Sequence, residues 1–388
     1  MNFEEDEDIA ALRDTIRRFV ARECPTALVS KWDREDFIPR EMLHRLGDLG
    51  LCGLCVPEEY GGSGRNVRAM VAALEELARA SSGLASYYCM CAAYAGLNIA
   101  ESGTEAQRRR LLPAVAAGRM SFSYGLSEPN IGADLGRVET RAEREGDRIV
   151  VNGMKRWTSG AGQNDYIYAL VRSAPVEAKR KNLSFILIPT KAPGVSITNL
   201  GGMGNNGTPL ADVVFDQVLL SIDDVVGGEA GWNTAWNILA GPSLEVEKLA
   251  PAAMALGIAE AALAEAWDYS QQRTQGGKHI CAHQAVRHVL SEAQTQLQAS
   301  RLMLAHAAWL VENGKPSAVA TSMAKLFVTE RAKEVTLACQ QQVMGAYGYA
   351  HGFQMERHVR DVLGPTIYGG SSAIQRNNIA NLLGLPRD

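Results

Sequence analysis

The sequence predicts a mainly α fold with a β-domain set into its middle. Three observations carry that expectation. Residues 1–120 and 231–388 show the apolar periodicity of packed helices. Residues 121–230 instead hold short runs rich in β-branched and aromatic residues, separated at regular intervals by Gly, Pro, Asn and Asp. At 388 residues the chain is also too long for one simple core. The expected domains are therefore an N-terminal helical domain (1–120), a middle β-barrel or sandwich (121–230) and a C-terminal helical bundle (231–388).

Taken in order, residues 8–24 are amphipathic, 40–49 form a second helix and 66–80 a third. Residues 82–101 are apolar almost all round, which predicts a buried helix, and 105–117 close the region. The turn cluster Val-Pro-Glu-Glu-Tyr-Gly-Gly at 56–62 lies between the second and third helices. Strands are expected at 148–151, 166–171, 184–188, 195–198 and 212–215, with a further apolar strand from Phe122. Val286, Val289, Leu290, Ala293, Leu297, Leu304 and Val311 mark a long helix that stops at Gly314-Lys-Pro316, and 317–344 form the next. Long helices joined by short breaks predict an antiparallel bundle.

The composition, 46% hydrophobic and 21% charged, is that of an ordinary soluble globular chain. A net charge of -4 leaves no basic footprint for nucleic acid. The acidic start at residues 1–8 lacks a signal peptide's basic and apolar regions and is expected to be solvated. No membrane span is expected. Seven cysteines, with Cys52/Cys55 and Cys89/Cys91 as isolated pairs, read as reduced thiols of a cytoplasmic protein without a metal site. His279, His283 and His288 lack metal spacing and read as surface or cofactor-contacting residues, and Arg108–Arg110 as a solvated helix face.

One helix draws the eye chemically. Pro242 suits a first helical turn. Leu244, Glu247, Lys248, Pro251, Ala255 and Ile258 then share a face. Glu247 is either a solvated boundary residue or a carboxylate aimed into an interior. Pro251, four residues on, cannot donate to the Glu247 carbonyl and crowds it, so the helix is expected to bend or loosen there. Two β-domain segments also suit chemistry. Residues 122–134 run from a strand into a loop with Ser127 and Gly132. Residues 152–160 place Trp157 beside Thr158 and Ser159. Donors beside an aromatic plane suit a planar, electron-accepting heterocycle. A plain strand-loop-strand corner with a core tryptophan is the bland alternative.

Residues 124–134 followed by 157–159 resemble the flavin-binding signature of the acyl-CoA dehydrogenase family. The resemblance spans most of the chain. It includes 56–62, Arg-Thr-Gln-Gly-Gly-Lys-His-Ile-Cys-Ala-His-Gln at 273–284, Gln-Val-Met-Gly-Ala-Tyr-Gly at 342–348, Arg360-Asp361, and Thr-Ile-Tyr-Gly-Gly-Ser-Ser-Ala-Ile-Gln at 366–375. It implies an N-terminal α-domain, a β-domain, a C-terminal four-helix bundle, FAD, and a homotetramer or homodimer passing electrons to an acceptor such as an electron-transfer flavoprotein. Position by position it implies that Leu126, Ser127, Gly132, Trp157 and Ser159 meet the flavin ring. Arg273, Gln284, Gln342, Gly345, Ser371 and Ala373 would hold the diphosphate and adenosine. Ala133, Glu245, Lys248, Gly369 and Gly370 would lie toward the substrate. Tyr368 is either a wall of the acyl pocket or a core residue.

The chain departs from the family pattern at four places. Many members carry the catalytic glutamate directly after the tyrosine of the C-terminal segment, where this chain has Gly369. A sub-group resembling isovaleryl-CoA and long-chain acyl-CoA dehydrogenases carries the base on the long helix instead. Aligned on Leu256-Gly257, that position is Glu247. The resemblance then implies abstraction of the α-proton by Glu247, transfer of the β-hydride to flavin N5, and a trans-2-enoyl thioester as product. Lys248 for the commoner Arg, Ala133 for Ser and Gly276 for an aromatic weaken the expectation of free coenzyme A as carrier. A carrier-protein-tethered acyl or aminoacyl group is therefore one alternative. A desulfinase-like thioester elimination, a flavin monooxygenase and a non-enzymatic partner subunit are others.

Overall fold

The computed structural model describes residues 5–386. The acidic start therefore lies partly outside the described residues. Seven helices come first: α1 (Glu7–Glu23), α2 (Thr26–Glu35), α3 (Arg40–Asp48), α4 (Val67–Ala80), α5 (Ser82–Tyr88), α6 (Leu97–Ser102) and α7 (Glu105–Ala116). Helix α2 was not anticipated; only Val29 and Trp32 of its ten residues are buried, too few to print a clear period. The expected single helix at 82–101 is α5 and α6 joined without a break by a π-helical segment, Cys89–Gly96. That wider coil sets Tyr94 and Asn98 on the side facing the long helix described below.

The middle of the chain is a seven-stranded sheet of β1 (Phe122–Gly125), β2 (Arg141–Glu145), β3 (Arg148–Lys155), β4 (Tyr166–Arg172), β5 (Leu183–Pro189), β6 (Val195–Leu200) and β7 (Leu210–Ser221). Its order is β1-β4-β2-β3-β7-β6, with β5 paired to β4. Strand β1 runs parallel to β4, in register from Phe122 opposite Tyr166 to Gly125 opposite Ala169. Strand β2, with the sequence Arg-Ala-Glu-Arg-Glu, was not expected: four of its five residues are charged and only Ala142 is buried.

Two short helices, α8 (Gly228–Gly231) and α9 (Ala235–Leu239), lead into α10 (Pro242–Gln272). A small ribbon of β8 (Thr274–Gln275) and β9 (Lys278–His279) precedes α11 (Gln284–Glu312) and α12 (Ala318–Ala338), and a π-helical turn, Cys339–Met344, ends α12. Then come α13 (Ala346–Tyr349), α14 (Met355–Leu363) and α15 (Ser372–Leu382). Helix α10 is the axis of the molecule, packing on α4, α11, α12 and α14. By length and composition Ser243–Gln272 is apolar enough to cross a membrane, yet 78% of its apolar window is buried inside the protein, as in a core helix. One core joins α1–α6 to α10–α12, a second joins α6 and α7 to the sheet, and a third lies within the β-domain. Buried Arg13 ties α1 to Glu75 and Glu76 of α4, each at 2.9 Å.

Helix α10 runs continuously from Pro242 to Gln272 with Pro251 inside it. The carbonyl of Glu247, which Pro251 cannot serve, accepts instead from the Tyr94 hydroxyl at 3.2 Å.

Candidate active site

The second turn of α10 meets β1 and the π-helical region where the helical and β cores adjoin. Glu247 Oε1 accepts two hydrogen bonds there, from the Tyr124 hydroxyl at 2.7 Å and from Asn98 Nδ2 at 3.3 Å. Asn98 Nδ2 also lies 3.2 Å from the Tyr124 oxygen, closing a triangle. Neither partner is a cation. Burial therefore raises the Glu247 carboxyl above its ordinary value, the two hydrogen bonds pull it partly back, and the charge of Glu101 adds to the rise. Burial and the adjacent carboxylate hold the Tyr124 phenol well above its usual range, so it stays a donor.

Facing α10 is the loop that ends in Gly369 (φ 63) and Gly370 (φ 79). Both adopt left-handed backbone, which glycine reaches without penalty. A Cβ on Gly369 would stand 2.9 Å from Pro251 Cγ and 3.6 Å from the Glu247 carbonyl oxygen. A side chain at 369, where the resemblance implies an acid in many members, would thus meet the ring of Pro251. Buried Lys325 holds the loop, its Nζ donating to Pro365 O at 2.8 Å and Gly370 O at 2.6 Å. Gln375 Nε2 donates to Gly369 O and Gly370 O at 3.3 and 3.2 Å. Among the described residues the Gly369 N–H donates to nothing.

Strand β1 continues into Leu126 and Ser127. The Leu126 carbonyl accepts from Lys155 Nζ at 3.1 Å and the Ser127 carbonyl from the Arg156 N–H at 2.9 Å. Glu128 is buried and accepts from Lys155 at 2.7 Å and from the Thr140 N–H at 2.9 Å, which fixes the loop from beneath. Trp157 follows with φ 64 and is 55% exposed, so the backbone is turned to present its indole. The bland reading of a core tryptophan does not hold. Arg156 lies over that ring at 5.5 Å. The hydroxyls of Ser127 and Ser159 make no hydrogen bond among the described residues, and the buried Thr158 Oγ1 has no partner. A Cβ on Gly132 would meet nothing, and Gly132 and Ala133 are exposed.

The remaining sequence candidates fall into two groups. Glu245 and Lys248 grip one another, Nζ lying 3.0 Å from both carboxylate oxygens, and Thr321 donates to Glu245. Lys248 is 4% exposed, so its charge is spent inside the helix contact. Tyr368 is 38% exposed, so the core reading does not hold. Away from Glu247, Arg273 lies over the Tyr347 ring at 5.2 Å, next to Gly345, which adopts φ 56. Exposed Gln284 opens α11. Gln342 and His288 line a surface groove between α11 and α12. Ser371 caps α15 by accepting from the Ile374 N–H, and Ala373 is exposed on its first turn. Tyr94, Asn98 and Tyr124 were missed. An amide at 98 inside an otherwise apolar helix was the available signal for one of them.

Models of the acyl-CoA dehydrogenase N-terminal, middle and C-terminal domains match residues 6–119, 123–218 and 233–384. The probable acyl-CoA dehydrogenase YngJ of Bacillus subtilis (strain 168) is 31% identical over 99% of this chain and 100% of its own. The caffeyl-CoA reductase-Etf complex subunit CarC of Acetobacterium woodii is 30% identical over 96% of this chain and 97% of its own. The solved butyryl-CoA dehydrogenase of Megasphaera elsdenii superposes with a TM-score of 0.92 at 28% identity, covering 99% of this chain and 100% of that one. These relatives favour the acyl-CoA reading over the carrier-tethered, desulfinase-like and monooxygenase alternatives. The chain belongs to the acyl-CoA dehydrogenase family.

Proposed function

We propose that the chain dehydrogenates an acyl-CoA thioester at its α,β bond with Glu247 as the base. It is a flavoprotein oxidoreductase of CH–CH bonds that works with FAD. The observation that carries Glu247 is its half-buried carboxylate, met only by neutral donors, at the level of a loop glycine where a side chain would meet the Pro251 ring.

The residues present fit the flavin. Trp157 offers an exposed aromatic plane, Ser127, Thr158 and Ser159 offer uncommitted hydroxyls, and open Gly132 leaves room for close approach. Bound FAD supplies the two-electron acceptor for the β-hydrogen. Arg273, Gln284, Gln342, Gly345, Ser371 and Ala373 are read as the diphosphate and adenosine side, shared between subunits of an oligomer. The uncommitted Gly369 N–H is read as the donor to the thioester carbonyl, stabilising negative charge as the α-proton leaves. Glu247 takes that proton; its raised affinity for protons makes it a stronger base in a dry site. An electron-transfer flavoprotein is the proposed acceptor, on the analogy of the relative named for its Etf complex.

The test is an anaerobic absorbance titration with a panel of acyl-CoA thioesters, run beside Glu247→Gln. Wild type should bleach the oxidised flavin with at least one ester, and the variant should do so about 10²–10⁴-fold more slowly. Equal bleaching by both would remove Glu247 from the mechanism.

A further inference from the structure

The Glu247 carboxylate is held by one oxygen only. Tyr124 and Asn98, from β1 and α6, converge on Oε1 at 2.7 and 3.3 Å, and Oε2 makes no hydrogen bond among the described residues. Asn98 is 1% exposed and its Oδ1 has no partner, so Tyr124 and Glu247 alone set the direction of its amide. The Tyr124 hydroxyl accepts from Asn98 and thereby has its own proton directed at Glu247. The Tyr124 ring is fixed as well, lying 5.4 Å from the Tyr94 ring and 5.3 Å from that of Tyr168.

Tyr124 is in β1, and Leu126 and Ser127 follow directly after the strand ends at Gly125. The strand that grips the base therefore leads straight into the residues read as flavin-facing, Leu126 and Ser127. Loss of an α-proton on one side and a β-hydride on the other requires a fixed spacing between base and acceptor, with about 3–3.5 Å between reacting atoms.

We propose that Tyr124, seconded by Asn98, is the positioning residue of this enzyme: it anchors Oε1 of Glu247 to the flavin-bearing strand and leaves Oε2 to take the α-proton. This rests on the assignment of Glu247 as base. The other titratable groups facing that carboxylate are Cys89 and Tyr94 on the π-helical segment, Glu101 on α6 and Tyr168 on β4. None of them hydrogen-bonds to it; Tyr94 serves the backbone carbonyl instead.

The experiment is Tyr124→Phe in the FAD-loaded enzyme, with Glu247→Gln as control. Flavin reduction by the best saturated acyl-CoA of the panel is followed from acid to alkaline pH, with α-protonated and α-deuterated substrate. The ring stack survives in Phe, so the fold and flavin spectrum should be kept. The hydroxyl stabilises the carboxylate, so its loss raises the proton affinity of Glu247. The acid limb of the rate should move up by about one pH unit, a rate about tenfold lower at fixed pH on that limb. The α-deuterium effect should grow and kcat should fall more than KM rises, and above the shifted limb the alkaline plateau should stay below wild type, because deprotonation does not restore the lost anchor. An unmoved acid limb, full recovery of the wild-type rate on the alkaline plateau, or a change only in chain-length preference would each overturn the proposal. Full flavin reduction by Glu247→Gln would overturn the base assignment itself.

Discussion

Gly369→Ala tests the claim that the loop position is closed to any side chain. The perturbation adds one methyl group at φ 63, 2.9 Å from Pro251 Cγ. Two costs follow. Left-handed backbone costs a non-glycine residue about 1–2 kcal/mol. The contact is shorter than Cβ atoms adopt, and the neighbour is a ring within a helix that is buried on α4, α11 and α12, so it cannot swing aside. Overpacking of that kind costs about 1–3 kcal/mol. The sum is about 2–5 kcal/mol, which in a chain this size lowers the melting temperature by several degrees. Pro251→Ala removes the second cost and not the first. A double-mutant cycle on the FAD-loaded protein, read by thermal or urea unfolding, should therefore return a coupling of about 1–3 kcal/mol. Additive single variants, or a Gly369→Ala change within about 0.5 kcal/mol of wild type, would refute the reasoning.

Two more outcomes can be stated briefly. Lys325→Met strands the carbonyl of Pro365 and leaves that of Gly370 only the bond from Gln375, which should cost about 1–3 kcal/mol and raise KM for the thioester by loosening Gly369, measured in steady-state assays. The wild-type amine has its pKa pushed down to about 8 by burial from 10.5, so between those values the unfolded chain binds more protons and stability rises with pH; urea unfolding across that window should show the slope in wild type and lose that part of it in the variant. Trp157→Gly should act with opposite signs on two readouts: relief of the strained backbone stabilises the flavin-free chain by about 1 kcal/mol, while loss of the exposed ring weakens flavin retention about tenfold, read by the flavin-to-protein ratio after gel filtration.

Much of this was legible in the sequence where the physics is local. The alternating periods of helix and strand, the glycine at 369 and the carboxylate at 247 are all one-dimensional signals. What escaped depended on which surfaces meet. Strand β2 is four-fifths charged and exists because β3 pairs with it from Arg141 opposite Asn152 to Glu145 opposite Arg148. Tyr124 stood inside a quoted motif, yet nothing in a strand sequence says that its hydroxyl reaches a residue 123 positions away. Trp157 was singled out for its chemistry, whereas its positive φ belongs to the fold and not to the residue type. Proline at 251 was expected to crowd the Glu247 carbonyl, but the local rule says nothing of the hydroxyl, 153 positions earlier in the chain, that serves it.

That proline also bears on how the proposed base is held on the helix. A proline inside a helix costs about 3 kcal/mol, chiefly from a lost N–H donor and a crowded carbonyl. One hydrogen bond from Tyr94 returns about 1 kcal/mol, which leaves a deficit. The remainder is met by packing: the residue at 251 is buried and its ring fills the space beside Gly369 that a side chain would otherwise take. The same ring that costs the helix a hydrogen bond thus bars an acid from the loop and holds the loop against α10. A carboxylate on a buried helix, gripped from β1 and α6, is fixed by three elements rather than by one loop, the arrangement that best preserves sub-ångström placement through turnover. Transfer of the acid from 247 to 369 should therefore fail in this chain unless Pro251 is replaced at the same time.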